Sequence, residues 1–317
     1  MHDTDQIAEF FDSFLQFKRT YKNGEERYYV CPECNRVKLA VNLKKLKAHC
    51  WHDSLNYNDL KFLVLKYAPD KLAEYNKIIG THRVSGSIED AFYEEALVKY
   101  PDRLKLPEGF KLIQGKTELE LSAYKYLTER GIRSDVIASR YIGVCNEGKY
   151  KDAIIFPSFG IRGYVDFFVA RWFLNRDYYL YESVEKSNII FNELFVDWHK
   201  PVVLVEGVFD AYCISDLHMT NVIPLMGSSL STEYRLVYNL AKYGNNVVVA
   251  LDNDAKNKEK RIVTMLRNCG IKTSAYDIGR LNVKDPAVLR MKFWDYLPKE
   301  HKDSTDISIL EERIREL

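Results

Sequence analysis

Three acidic residues stand where a chain most easily assembles a metal site. Glu206 directly follows the apolar run VVLV (202–205), and Asp252 and Asp254 directly follow NVVVAL (246–251). Continuous apolar runs of this kind suit central strands buried on both faces of a parallel sheet. In such sheets the ligand site lies at the carboxyl ends of the strands. Carboxylates converging there supply the hard oxygen donors that Mg²⁺ or Mn²⁺ takes. Ions so held can bridge a polyphosphate and offset charge on the attacking and leaving oxygens of an in-line displacement. The chemistry expected is phosphoryl transfer at two divalent ions. Two further acids can support it: Asp210, one helical turn beyond Gly207 in the string EGVFD, and Asp285 in the string VKDP. A lone D-x-D is usually a solvated turn; two acidic strings at strand ends, one crossover apart, are a much more specific signal.

A second cluster calls for a different metal. Cys31-Pro32-Glu33-Cys34 forms a C-x-x-C knuckle, and Cys50 follows after 15 intervening residues with His49 and His52 beside it. This is close to zinc-ribbon spacing. A regular ribbon would close on a second C-x-x-C, but position 53 is Asp, which leaves His52, His49 or Asp53 as the fourth ligand; His52 is the expected one. One structural Zn²⁺ would hold together a module too small to fold on core burial alone. Between the knuckles, residues 35–47 carry Arg36, Lys38, Lys44, Lys45 and Lys47 and no acid, and Trp51 and several tyrosines offer stacking surfaces nearby. A basic run is often only a solvated face, yet bases interleaved with aromatics are also what single-stranded nucleic acid requires.

The elements that must position these residues follow from periodicity. Residues 3–17 read as an amphipathic helix, residues 28–52 as short strands broken by turns, and residues 56–76 as helical. A stretch without strong periodicity follows. ELELSAYKYLTERGIRSDVIASRY reads as two short helices, and AIIFPSF, GYVDFFVAR, YYLYES and NIIF as strands or turns. From residue 202 strands alternate with helices expected over 208–217, 231–243 and 255–268, which implies a parallel sheet with right-handed crossovers. The expected fold is α/β around that sheet, with an α+β subdomain before it and a small β-rich zinc-ribbon-like domain at the N-terminus. The domains expected are 1–76, a linker over 77–115, 116–198, 199–290 and a helical segment over 291–317.

Composition narrows the classes. The 317 residues are 46% apolar and 29% charged, as in ordinary globular proteins. Lys plus Arg (46) nearly balances Asp plus Glu (45), so any nucleic-acid footprint must be local. Six scattered cysteines, no basic-then-apolar leader and no apolar run near the roughly 20 residues that span a bilayer imply a cytoplasmic protein without a membrane partner.

The strings VVLVEGVFD, VVVALDND and VKDP resemble the three signatures of the TOPRIM fold, shared by DnaG-type primases, type IA and type II topoisomerases and some nucleases. The resemblance covers roughly residues 200–290. It implies that Glu206, Asp252 and Asp254 bind Mg²⁺, with Asp210 and Asp285 in support. AYKYLTERGI, IGV, IIFPSF, GYVDFFVAR, YYLYES and NIIFN resemble the N-terminal part of a DnaG-type polymerase core, which topoisomerases lack. In that family basic residues of this part line the nucleotide and template groove, which points to Arg171, with Arg162 and Lys186 beside it. A zinc ribbon, a linker, this prelude and a TOPRIM unit, in that order, is the layout of bacterial and bacteriophage primases. The resemblance implies an RNA polymerase that makes short primers on single-stranded DNA from ribonucleoside triphosphates. With no G-x-x-x-x-G-K-[ST] in the chain, a replicative hexameric helicase would act in trans, in the host cytoplasm if the protein is viral. The alternatives are a TOPRIM nuclease and a RecR-like, DNA-binding recombination mediator.

Overall fold

The computed structural model describes residues 4–21, 24–53, 55–80, 101–174, 178–181, 186–215, 221–227, 230–232, 234–244, 246–276 and 278–290. The helix expected over 291–317 lies outside them, as does the whole stretch 81–100. The chain divides into two compact units. One comprises residues 1–99 with 231–245 and 261–273; the other comprises 100–230, 246–260 and 274–317.

In the first unit, β1 (Phe17–Tyr21), β2 (Glu26–Val30), β3 (Val37–Asn42), β4 (Lys47–Cys50) and β5 (Leu55–Tyr57) form an antiparallel meander in sequence order. Strand alternation gives this sheet two unlike faces. Tyr29, Leu39, Val41, Ala48, Cys50, Leu55 and Tyr57 are buried on one side. The register puts Arg19 opposite Tyr28, Tyr28 opposite Ala40, Ala40 opposite His49 and His49 opposite Asn56 on the other. Helix α1 (Thr4–Asp12) packs Phe10 and Phe11 against Tyr75 of α3 (Leu72–Ile78). The helix expected over 3–17 stops at Asp12, and Phe17–Tyr21 becomes an exposed edge strand instead. The helix expected over 56–76 is broken: Leu55–Tyr57 is β5, Asp59 caps α2 (Leu60–Tyr67) by accepting from Lys61 N–H, and Pro69 opens a 3₁₀ turn before α3.

Helix α7 (Arg235–Tyr243) and the segment 261–273 belong to this unit. Lys66 of α2 and Lys272 both pair with Glu33 of the C-x-x-C knuckle, at 3.1 and 2.7 Å, and Tyr57 forms a β-bridge with Cys269. Gly270 sits at φ +73, and a Cβ there would run into the Tyr57 ring. Gly270→Ala should cost about 2–4 kcal/mol through left-handed strain plus overpacking, read as a lowered thermal midpoint.

The second unit holds two sheets. β6 (Phe110–Leu112), β7 (Gly143–Cys145), β8 (Ala153–Phe159), β9 (Val165–Trp172) and β10 (Tyr178–Tyr181) form an antiparallel sheet in the order β10-β9-β8-β7-β6. β6 falls within the 77–115 stretch that lacks periodicity, because an exposed three-residue strand leaves no pattern to read. One face of this sheet packs Ile154, Phe156, Phe167 and Val169 with Leu127 of α4 (Glu118–Glu129), Ile137 of α5 (Ser134–Ser139), and Phe209 and Tyr212 of α6 (Val208–Ile214).

The other sheet has the order β12-β11-β13-β14, built from β11 (Val202–Val205), β12 (Val222–Pro224), β13 (Val247–Val249) and β14 (Thr273–Ala275). Strand β11 runs parallel to both β12 and β13. Val202–Val205 and Val247–Val249 are buried throughout, as their unbroken apolar runs require. The expected parallel α/β core, α+β prelude and β-rich module are therefore all present.

Candidate functional site

Each acid at the mouth of the parallel sheet owes its place to a neighbouring element. Glu206 follows β11, and Gly207 begins α6. Asp210, in the first turn of that helix, is 8% exposed and accepts from Gly207 N–H at 3.0 Å and from Ala287 N–H. Asp252 and Asp254 follow β13 in a short 3₁₀ turn that leads into α8 (Lys256–Asn268). That turn is fastened to the Lys284 carbonyl by Asn253 N–H at 3.0 Å. Asp285 caps α9 (Pro286–Leu289) by accepting from Val288 N–H, and α9 packs on α6.

The electrostatics are those of crowded carboxylates. Burial, then Glu206, Asp285 and Asp254, push Asp252 up to about 6, against a smaller opposing pull from Lys284. Burial, then Asp252 and Asp285, raise Asp210 to about 7 despite its two backbone donors. Asp252 Oδ1 is buried without a hydrogen-bond partner among the described residues. An orphaned carboxylate oxygen beside other acids, with a raised affinity for protons, is a fit for a divalent cation. Asp210 accepts from two backbone donors, which link the start of α6 to the turn at Ala287.

These shifts set a pH dependence. Both folded-state values lie above the unfolded value of roughly 3.9, so the folded state holds the extra protons. The contribution of these two groups to stability falls as pH rises from about 4 toward 7. Melting of the zinc-loaded protein without added divalent ion should show this as a fall in midpoint between pH 5 and pH 7, and added Mn²⁺ should reverse the trend by supplying the missing positive charge.

The basic candidates of this unit fall in different places. Arg171 on β9 is 4% exposed and donates from Nε to Tyr126 Oη at 3.3 Å. Lys186 donates to the Met226 carbonyl at 3.4 Å, just past the carboxyl end of β12, and burial lowers its pKa. It therefore stands at the same end of the parallel sheet as the acids. Arg162 lies exposed in the β8–β9 turn. Six strand positions separate Val165 from Arg171, roughly 20 Å, so Arg162 and Arg171 cannot grip one triphosphate together.

In the first unit, Cys31, Cys34, Cys50 and Asp53 place one donor atom each within 4.8 Å of all the others. Cys34 Sγ and Cys50 Sγ are 3.8 Å apart, and Asp53 Oδ2 lies 3.5 Å from Cys31 Sγ and 3.4 Å from Cys50 Sγ. Tetrahedral Zn²⁺ with Zn–S near 2.3 Å and Zn–O near 2.0 Å requires S···S of about 3.8 Å and S···O of about 3.5 Å. The donor set fits zinc. It corrects the expected fourth ligand: His52 is turned outward and its Nδ1 meets Asp53 Oδ1 at 3.0 Å, while His49 Nδ1 meets Asn56 Oδ1 on the open sheet face. Although burial works against it, Asp53 is held below the usual carboxylate range by hydrogen bonds from His52 and the three thiols.

The basic run is also sorted by register. Lys38 on β3 and Lys47 on β4 share the open face with Tyr28 and His49, and Trp51, 63% exposed, stands edge-on to His49 at 4.4 Å. Lys44 pairs with Glu25 at 3.1 Å, and Lys45 lies beside it in the β3–β4 turn; Arg36 is exposed in the knuckle. Sequence reading missed the β1 contribution to this face. There Arg19 lies over the rings of Tyr21 and Tyr28, at 5.1 and 5.3 Å. The signal was present in FKRTY, which sets two basic residues between two aromatic ones. It also missed Lys258, whose Nζ is 3.1 Å from Glu206 Oε1.

Comparison with known proteins gives one family match: residues 203–287 match the Toprim-like model. No curated protein sequence matches the chain. Among solved structures it is similar to the zinc-binding and RNA polymerase domains of Aquifex aeolicus primase, at 16% identity over 92% of this chain and 83% of that one, TM-score 0.46. It is also similar to the primase fragment of the bacteriophage T7 primase-helicase protein, at 12% identity over 85% and 96%, TM-score 0.44. A third is the DnaG primase catalytic domain bound to single-stranded DNA, at 17% identity over 63% and 73%, TM-score 0.46. The segment that matches the Toprim-like model, residues 203–287, is thus the one that carries the parallel sheet and its acidic mouth.

Proposed function

We propose that the protein is a DNA primase: a template-directed RNA polymerase that makes short primers on single-stranded DNA. The observation that carries this reading is the convergence of Glu206, Asp252 and Asp254 at the carboxyl ends of β11 and β13 within a Toprim-like domain. Mg²⁺ or Mn²⁺ on these acids, two ions in the full reaction, would neutralise the triphosphate and favour the deprotonated primer 3′-hydroxyl. Arg171 and Lys186 would hold nucleotide phosphates, and Arg162 would touch a more distant part of the polymer. Asp210 and Asp285 keep the acidic loops in register. Residues 116–198 and 199–290 would then form the polymerase core, and residues 1–76, carrying one structural Zn²⁺, would read the template.

Template reading is assigned to the open face of the meander. Tyr28 and Trp51 offer rings for bases, and Arg19, Lys38 and Lys47 offer charge for phosphates; Arg36, Lys44 and Lys45 extend the basic border. A ring helicase would supply the strand in trans.

The test is incubation with labelled ribonucleotides, Mg²⁺ and mixed-sequence single-stranded DNA. Short alkali-labile products support priming. The same acids could hydrolyse a phosphodiester, so shortening of the DNA would instead mark a nuclease, and binding without either reaction would mark a RecR-like mediator.

A further inference from the structure

We infer that Lys258 is a built-in counter-cation of the acidic site: it holds Glu206 when no divalent ion is bound and is displaced to the substrate's polyphosphate when one arrives. The inference rests on the proposed metal-dependent nucleotidyl transfer and assigns a residue that neither the motif nor the spacing of the acids singles out.

Lys258 lies in the first turn of α8, four residues beyond Asp254, so the element that presents the second acidic string also carries the ammonium. A lysine near a helix N-terminus is opposed by the helix dipole. Its placement there needs a compensating partner, and Glu206 supplies one. The pair spans 52 positions and joins the two acidic strings through their side chains, with Lys258 26% and Glu206 31% exposed.

The pair conflicts with metal ligation. An ammonium at hydrogen-bond distance from Glu206 Oε1 occupies the space and the lone pair that a cation would use, so binding must break the contact. Divalent charge then repels the ammonium, and the most negative group within reach of a lysine stem is the triphosphate on the same ion. A flexible point charge suits such an exchange better than a rigid guanidinium. Among the described residues no cation meets the orphaned Oδ1 of Asp252, so one ligand stands ready while Glu206 is guarded.

The test is Mn²⁺ binding to the full chain without nucleotide, read from the electron paramagnetic resonance of the free ion. Wild type is compared with Lys258→Met, Lys258→Arg, and Asp252→Asn plus Asp254→Asn. Loss of a partly exposed pair should let Lys258→Met bind Mn²⁺ about two- to fivefold more tightly, while Lys258→Arg stays near wild type. With Mn²⁺ saturating, Lys258→Met should bind a ribonucleoside triphosphate about tenfold more weakly. Equal or weaker Mn²⁺ binding by Lys258→Met overturns the inference. If wild type and the double Asn variant bind Mn²⁺ alike, the metal site itself is wrong and the inference falls with it; if both bind as expected but no primer is made, only the priming reading fails.

Discussion

Cys31→Ser and Asp53→Ala should each abolish zinc binding at the proposed site, whereas His52→Ala should retain it. The distances among Cys31, Cys34, Cys50 and Asp53 match those a tetrahedral ion imposes, and His52 reaches only the far oxygen of Asp53. Removing a direct donor should weaken zinc by more than about a hundredfold, and removing an outer hydrogen-bond partner by about tenfold. Because Cys31, Cys34 and Cys50 border the meander's strands, zinc loss should loosen the register that aligns Tyr28, Lys38, Lys47 and Trp51. Single-stranded DNA binding should therefore fall with the metal. Metal analysis of each purified variant, alongside fluorescence anisotropy with a labelled oligonucleotide, checks both parts.

The second large effect concerns the acids. Asp252→Asn with Asp254→Asn should reduce nucleotide incorporation by about a thousandfold or more, since several kcal/mol of charge stabilisation by the divalent ions is lost. The same substitutions should raise the melting temperature of the zinc-loaded protein without added divalent ion, because they remove a carboxylate that burial and its acidic neighbours push up to about 6 and that itself helps to raise Asp210. Opposite signs in activity and stability separate a lost metal site from a damaged fold. A variant that loses both would indicate that these carboxylates serve mainly to hold the structure.

The parts of the molecule that were legible in its sequence are those where one physical demand dominates. VVLV and VVVAL have to be strands buried on both faces, and acids at their carboxyl ends have to share a mouth. The Cys31, Cys34 and Cys50 spacing likewise admits few uses. The fourth zinc ligand was not legible, because the chain direction after Cys50 decides whether residue 52 or residue 53 faces the sulfurs, and composition says nothing about that turn. Lys258 resembled any solvated lysine on a polar helix; only the fold brings it to Glu206. The β1 strand escaped because FKRTY is exposed along its whole length and carries no burial pattern. The attachment of residues 261–273 to the first unit depends on a glycine against a tyrosine ring and on Glu33, features with no periodicity at all.

Iron-directed cleavage tests most directly whether Glu206, Asp252 and Asp254 hold the divalent ions. Fe²⁺ substituted for Mg²⁺, with ascorbate and peroxide, generates hydroxyl radicals that cut the backbone beside the bound ion. Cuts near residues 206 and 252–254, suppressed by excess Mg²⁺ and absent from the double Asn variant, are the predicted result. Cleavage confined to other segments, or unchanged in the variant, would contradict it.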